Sequence, residues 1–156
     1  MLDQDGYRPN VGMILVNNAK QVFWGRRNGE DSWQFPQGGI THNESVEAAL
    51  FRELEEELGL TNKQVKIIAR THEWLYYDVP GKYNKNAKNN YRGQKQIWFL
   101  LDFIGHDYQI NLRNSEAQEF DAWCWMDYWS TKDLVVNFKQ DVYEKALTEL
   151  AHNLGF

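Results

Sequence analysis

Apolar and polar residues alternate in a way that predicts a mixed α/β chain. Val11–Val16 and Gln21–Trp24 are rich in β-branched and aromatic residues and predict two strands, joined through the polar turn Asn17-Asn18-Ala19-Lys20. Ser32-Trp33-Gln34-Phe35-Pro36 predicts a short aromatic strand closed by proline, and Gln37-Gly38-Gly39 predicts a turn. From about Asn43 to Leu58 the period changes to that of a helix. Thr41 with Glu44 three residues later has the capping-box form, Asn43 is a competing N-cap, and Gly59 is a natural stop. Further strands are expected at about Val65–Tyr77, Gln96–Phe103 and Ala122–Met126. An apolar patch at Leu134–Phe138 precedes an amphipathic helix over Asp141–Leu154. Strands, helix, strands, helix is the order of a mixed sheet packed between helices.

At 156 residues, with neither repeat nor low-complexity linker, residues 1–156 are expected to form one domain. No apolar run approaches the roughly 20 residues of a bilayer span, and the acidic start is unlike a signal peptide. A membrane is therefore not an expected partner. The single cysteine, Cys124, rules out an internal disulfide and reads as a buried small residue; the cytoplasm is the expected compartment. A net charge of −5 argues against binding to nucleic acid by bulk positive field. The charges are nonetheless segregated: residues 53–57 hold four glutamates, whereas Lys82, Lys85, Lys88, Arg92 and Lys95 lie in a stretch, 81–96, without an acid.

The glutamates carry the chemistry. At roughly 100° per residue, Glu53, Glu56 and Glu57 fall on one arc beside the apolar stripe Val46, Leu50, Leu54, Leu58. Each like-charge pair at this spacing costs about 0.2–0.5 kcal/mol, and the C-terminal half of a helix disfavours anions. A divalent cation would reverse both penalties, and all-oxygen ligands suit Mg²⁺ or Mn²⁺. A bare Glu-x-x-Glu-Glu is more often a solvated acidic face, but here a Gly-Gly turn precedes the helix and a glycine closes it.

Gly38, five residues, Glu44, seven residues, Arg52-Glu53-Leu54, one residue, Glu56-Glu57, one residue, Gly59-Leu60: nine specified positions over 23 residues resemble the Nudix box at every one. The resemblance implies the Nudix fold, a mixed β-sheet sandwiched between α-helices, with the box at residues 38–60. It implies that Glu53, Glu56 and Glu57 bind the metal, with the Gly38 carbonyl as a further ligand, and that Glu44, Arg52 and Gly59 shape the motif. The reaction implied is metal-assisted attack of water on a phosphoanhydride, with a carboxylate orienting the water or taking its proton.

Asp5–Gly12, Ser32–Gly39, Gly93–Gln96, Glu119–Asp121 and Phe138–Tyr143 further resemble the RNA pyrophosphohydrolase branch of that family, in order along most of the chain. That branch converts 5′-triphosphate or 5′-diphosphate RNA ends to monophosphate and so promotes mRNA decay. By this resemblance Glu119 is a fourth carboxylate of the metal site. Arg8, Gln94 and Lys139 meet phosphates, while Arg27, Ser32, Tyr77, Val136 and Phe138 hold the first nucleotides. A 5′-phosphorylated RNA or nucleotide is thus the expected partner, and a monomer the expected state. Residues 82–92 depart from the branch pattern. On residue type alone Tyr77 reads equally as a half-buried strand residue, Phe138 as core, and Lys82–Lys95 as a solvated loop. Trp33, Trp98, Trp123, Trp125 and Trp129 read as packing residues, and the four histidines show no ligand spacing. Two rival functions remain: dinucleoside polyphosphate hydrolysis, to which Tyr76 and Tyr77 past the box are suited, and a nucleotide sensor without catalysis, which has no use for three repelling carboxylates.

Overall fold

The computed structural model describes residues 1–156. Eight strands form one sheet: β1 (Tyr7–Val16), β2 (Gln21–Arg27), β3 (Trp33–Gln34), β4 (Gln37–Gly39), β5 (Val65–Arg70), β6 (Leu75–Asp78), β7 (Gly93–Phe103) and β8 (Phe120–Asp127). The main path runs β3-β2-β1-β7-β5, with β4 paired to β1, β6 to β7 and β8 to β2. Its spine is the parallel pair β1 and β7, in register from Tyr7 opposite Gly93 to Val16 opposite Asp102; all other pairings are antiparallel.

Side-chain alternation along this spine makes two cores. Val11, Met13 and Leu15, with Ile97, Phe99 and Leu101, pack on Leu50, Leu54 and Leu58 of α1 (Val46–Leu58). Ile14 and Val16, with Trp98 and Leu100, pack on Tyr143 and Leu147 of α3 (Gln140–Leu150). The expected sandwich of a mixed sheet between helices is what the chain forms. No helix is long and apolar enough to cross a membrane.

Several element boundaries differ from the sequence expectation. Helix α1 begins at Val46, capped by Ser45, whose hydroxyl accepts from the Ala48 N–H at 3.1 Å. Asn43 has φ of +64°, outside the extended conformation an N-cap takes. Thr41 does donate to Glu44, from both its N–H and its hydroxyl, but this pair folds the preceding turn. Gly59 closes the helix as expected, with φ of +69° and its N–H on the Glu55 carbonyl. The segment Gln37–Gly39, expected as a turn, is a strand paired with Asn10–Gly12 of β1. The strand expected over Val65–Tyr77 is two: β5 carries a register shift between Ile67 and Ala69, the chain bends after Arg70, and β6 resumes pairing with β7. The Leu134–Phe138 patch divides between a four-residue helix α2 (Thr131–Leu134) and a 3₁₀ turn at Asn137–Lys139, and the last helix ends at Leu150 before a second 3₁₀ turn. Cys124 is half-buried rather than buried.

Candidate active site

Helix α1 presents its carboxylates in three environments. Glu56 is exposed, Glu53 is mostly covered, and Glu57 is buried at 6% exposure. Arg52 organises the first two. Its guanidinium grips Glu44 through two bonds of 2.8 and 2.9 Å, donates to the Gly39 carbonyl at 2.7 Å and to Glu53 Oε1 at 2.7 Å, and lies 3.6 Å from Glu56 Oε2. The hydrogen bond from Arg52 holds Glu44 down to about 2. One cation thus ties the loop after β4 to the helix.

Glu57 has no such partner. Its Oε2 is buried without any hydrogen bond. Burial first, then the charges of Glu53, Glu119 and Glu56, push its carboxyl well above the usual carboxylate range. Burial also raises Glu53, against the pull of Arg52. Glu119 reaches this cluster from the loop before β8, which is fastened where the Asn28 N–H meets the Glu119 carbonyl at 2.8 Å and Arg26 makes a two-point bridge to Asp121. Gly38 is required by space: a Cβ there would stand 2.0 Å from the Glu53 carboxyl carbon. No three side chains are drawn together as a finished ligand set. The donor chemistry still fits a divalent cation: Glu53, Glu56 and Glu119 lie near enough for their charges to act on Glu57, whose buried oxygen nothing in the protein satisfies.

Seven of the eight residues expected to hold substrate meet in one cleft of about 900 Å³: Arg8, Arg27, Ser32, Tyr77, Val136, Phe138 and Lys139. Lys139 is buried, its ammonium donating to Gln34 Oε1 at 3.0 Å and Gln37 Oε1 at 3.3 Å. Burial, with the Arg27 charge adding to it, lowers Lys139 to about 8. Tyr77 is buried too, its hydroxyl accepting from Gln37 Nε2 and its ring 6.0 Å from that of Phe138. Phe138 is half-buried. The eighth residue, Gln94, lies under the wall. Its Nε2 donates to the Tyr91 hydroxyl at 2.8 Å, its buried Oε1 has no partner, and the same Tyr91 ring carries Arg8 at 5.3 Å.

None of the four glutamates lines the cleft. The link is β4: Gln37 bonds to Tyr77 and Lys139 on the cleft side, and the next residue is Gly38, against Glu53. Sequence reasoning missed Tyr83 and Tyr91, which line the cleft with Lys82 and Lys85. Their signal was the acid-free basic stretch 81–96, read there as equally a solvated loop.

A site of this kind, carboxylates for a cation beside a basic cleft, defines a class of hydrolases that act on phosphate substrates with a divalent metal. The NUDIX domain family matches residues 6–146, and the chain belongs to that family as a pyrophosphohydrolase. Solved structures of similar fold include the Ap4A hydrolase of C. elegans in a binary complex, 18% identical with a TM-score of 0.67, covering 96% of this chain and 99% of that one. Another is the dihydroneopterin triphosphate pyrophosphohydrolase of E. coli, 18% identical with a TM-score of 0.69, covering 92% and 98%. A third, described as a NUDIX hydrolase of Listeria monocytogenes, is 24% identical with a TM-score of 0.66, covering 96% and 94%. At these identities the likeness is one of fold.

Proposed function

We propose that the chain hydrolyses the 5′-triphosphate or 5′-diphosphate end of RNA to a monophosphate, with Mg²⁺ held by Glu53, Glu56, Glu57 and Glu119 and by the Gly38 carbonyl. The observation that carries this reading is the cleft: two arginines and a buried lysine for phosphates stand beside the apolar rings of Tyr77 and Phe138. Cation and ring together suit an unpaired nucleotide with a charged end. When bound, the cation supplies neutralisation of phosphate oxygens and activation of the attacking water. The protein's own groups do the rest. Arg52 holds Glu53 and lies beside Glu56, and a carboxylate of the set would orient that water or take its proton. Lys139 and Arg8 would bind and orient the polyphosphate, with Gln94 holding the Tyr91 ring on which Arg8 lies.

The test is turnover of 5′-labelled triphosphorylated RNA with and without Mg²⁺, against turnover of diadenosine tetraphosphate. Mg²⁺-dependent formation of 5′-monophosphorylated RNA is expected, with strong inhibition when the 5′ end is paired into a blunt duplex, since unstacking costs a few kcal/mol. A second reading is a dinucleoside polyphosphate hydrolase, for which Tyr77 lines the cleft, whereas Tyr76 takes the other face of β6 and packs on Tyr7. Rates on the dinucleotide far above those on RNA, with no RNA product, would replace the first reading by the second.

A further inference from the structure

Five bases and no acid occupy residues 81–96, and their partners divide them sharply. Arg92 bonds to Asp78 at 3.1 Å and its guanidinium lies over the Tyr7 ring. Lys95 meets Asp3 at 3.2 Å and lies over Trp74. These two, with backbone bonds from Arg92 to Gly6 and from Val79 to Arg92, fasten the segment to the sheet. Lys82, Lys85 and Lys88 make no ion pair with any carboxylate. Of these, Lys82 and Lys85 line the cleft. The anchored charges are neutralised and the cleft-facing ones are left open, a division that a merely solvated loop does not need.

The rings repeat this ordering. Tyr77 is buried, Phe138 is half-buried at 6.0 Å from it, and Tyr83 is 50% exposed at 5.4 Å from Phe138. They form a row that runs from the floor of the cleft to its open rim, with successive planes tilted by 37° and 38°. The Lys82 ammonium lies 5.0 Å from the Tyr83 ring centre. An exposed ring flanked by an unpaired cation is the unit by which single strands are held, base on ring and phosphate on lysine.

We propose that Lys82, Tyr83 and Lys85 form a track for single-stranded RNA continuing from the captured end, with Tyr83 stacking a downstream base and the lysines meeting the phosphates around it. The proposal rests on the RNA reading of the cleft, and it assigns to this chain's own 81–91 segment the recognition of nucleotides beyond the first. Because stacking accepts any base, the track measures the length of unpaired strand and not its sequence.

The test uses the Mg²⁺-loaded enzyme and 5′-monophosphorylated single-stranded RNAs of two to eight nucleotides, with affinity read by fluorescence anisotropy. For each variant the ratio of affinities for long and short RNA is taken, so that any general loss cancels. Wild type should gain affinity with length. Tyr83→Ala should reduce that gain by about fivefold or more, the lower end of the range for a lost base stack, and Tyr83→Phe should keep it. The double variant Lys82→Ala, Lys85→Ala should lower the slope of log affinity against log salt by about 1.4, at about 0.7 per phosphate contact. An unchanged length gain in Tyr83→Ala, an equal loss in Tyr83→Phe, or an unchanged salt slope would overturn the track. Turnover of triphosphorylated RNA, measured in parallel, keeps the two readings apart. Turnover without a length gain discards the track alone. A length gain that depends on Tyr83, without turnover, supports the track and discards the substrate reading.

Discussion

Replacing Lys139 by methionine keeps most of the side-chain volume and removes the charge. In the native chain that ammonium is buried at 6% exposure with two glutamine oxygens and no carboxylate on it, and its pKa falls from 10.5 to about 8. At 1.36 kcal/mol per tenfold change in proton affinity, keeping it charged in the fold costs about 3 kcal/mol. The sign follows from proton counts. Between pH 8 and 10.5 the unfolded chain holds the Lys139 proton and the native chain does not, so native stability rises with pH through this window. Below pH 8 the full cost is present. Methionine removes that cost but leaves Gln34 Oε1 without its donor, a loss of about 1–3 kcal/mol that does not vary with pH. The diagnostic is therefore the pH dependence: the stability of Lys139→Met relative to wild type should fall by roughly 2 kcal/mol between pH 7 and 9.5. Urea unfolding followed by tryptophan fluorescence, with metal chelated, measures it. A difference between the two proteins that stays constant across that range would refute the reasoning and show that water reaches the ammonium.

Glu56→Gln and Glu57→Gln should each lower hydrolysis by about 10²–10³-fold, the scale for one lost electrostatic group; in chelator, Glu57→Gln should hold or raise the thermal midpoint, since it removes a buried carboxyl that is costly to ionise and has an unpartnered oxygen, and turnover within tenfold of wild type would remove either residue from the site. Mg²⁺ should raise the thermal midpoint of wild type by mass action and leave that of a Glu53, Glu56, Glu57 triple glutamine variant unmoved; an equal rise would place the stabilising ion elsewhere. Gly38→Ala should displace the Glu53 carboxylate, which a Cβ would meet at 2.0 Å, and reduce both hydrolysis and the Mg²⁺ stabilisation; full activity would mean that β4 yields instead.

What could be read from sequence, and what could not, divides by the range of the interactions. The box was legible because its residues are specified by local spacing, and the strands β1 and β7 because each is an apolar run bounded by polar turns, but their parallel pairing was not. The helix start was not. Thr41 and Glu44 have the form of a capping box, yet Glu44 is held by Arg52 eight residues on, and that bond leaves the cap to Ser45. The bend between β5 and β6 was equally hidden, because it answers to pairing with β7. The placement of Tyr91 under Arg8 joins residues far apart in the chain, and no periodicity in one segment encodes it.

Glu57 and Lys139 together say why the site is built at a cost. Arg52 offsets the repulsion at Glu44, Glu53 and Glu56 but makes no bond to Glu57, whose buried oxygen stays unsatisfied. On the other side of β4, Lys139 is a buried cation without an anion. Each of these charges destabilises the empty fold, and neither can relieve the other across Gln37 and Gly38. On the proposed function, a polyphosphate carrying a divalent cation would bring both missing partners at once, the cation for Glu57 and the phosphate for Lys139. A free nucleoside brings neither, and a metal ion alone relieves only one side. Under that proposal, discrimination in favour of the metal-loaded polyphosphate would follow from two opposite deficits on either side of one short strand.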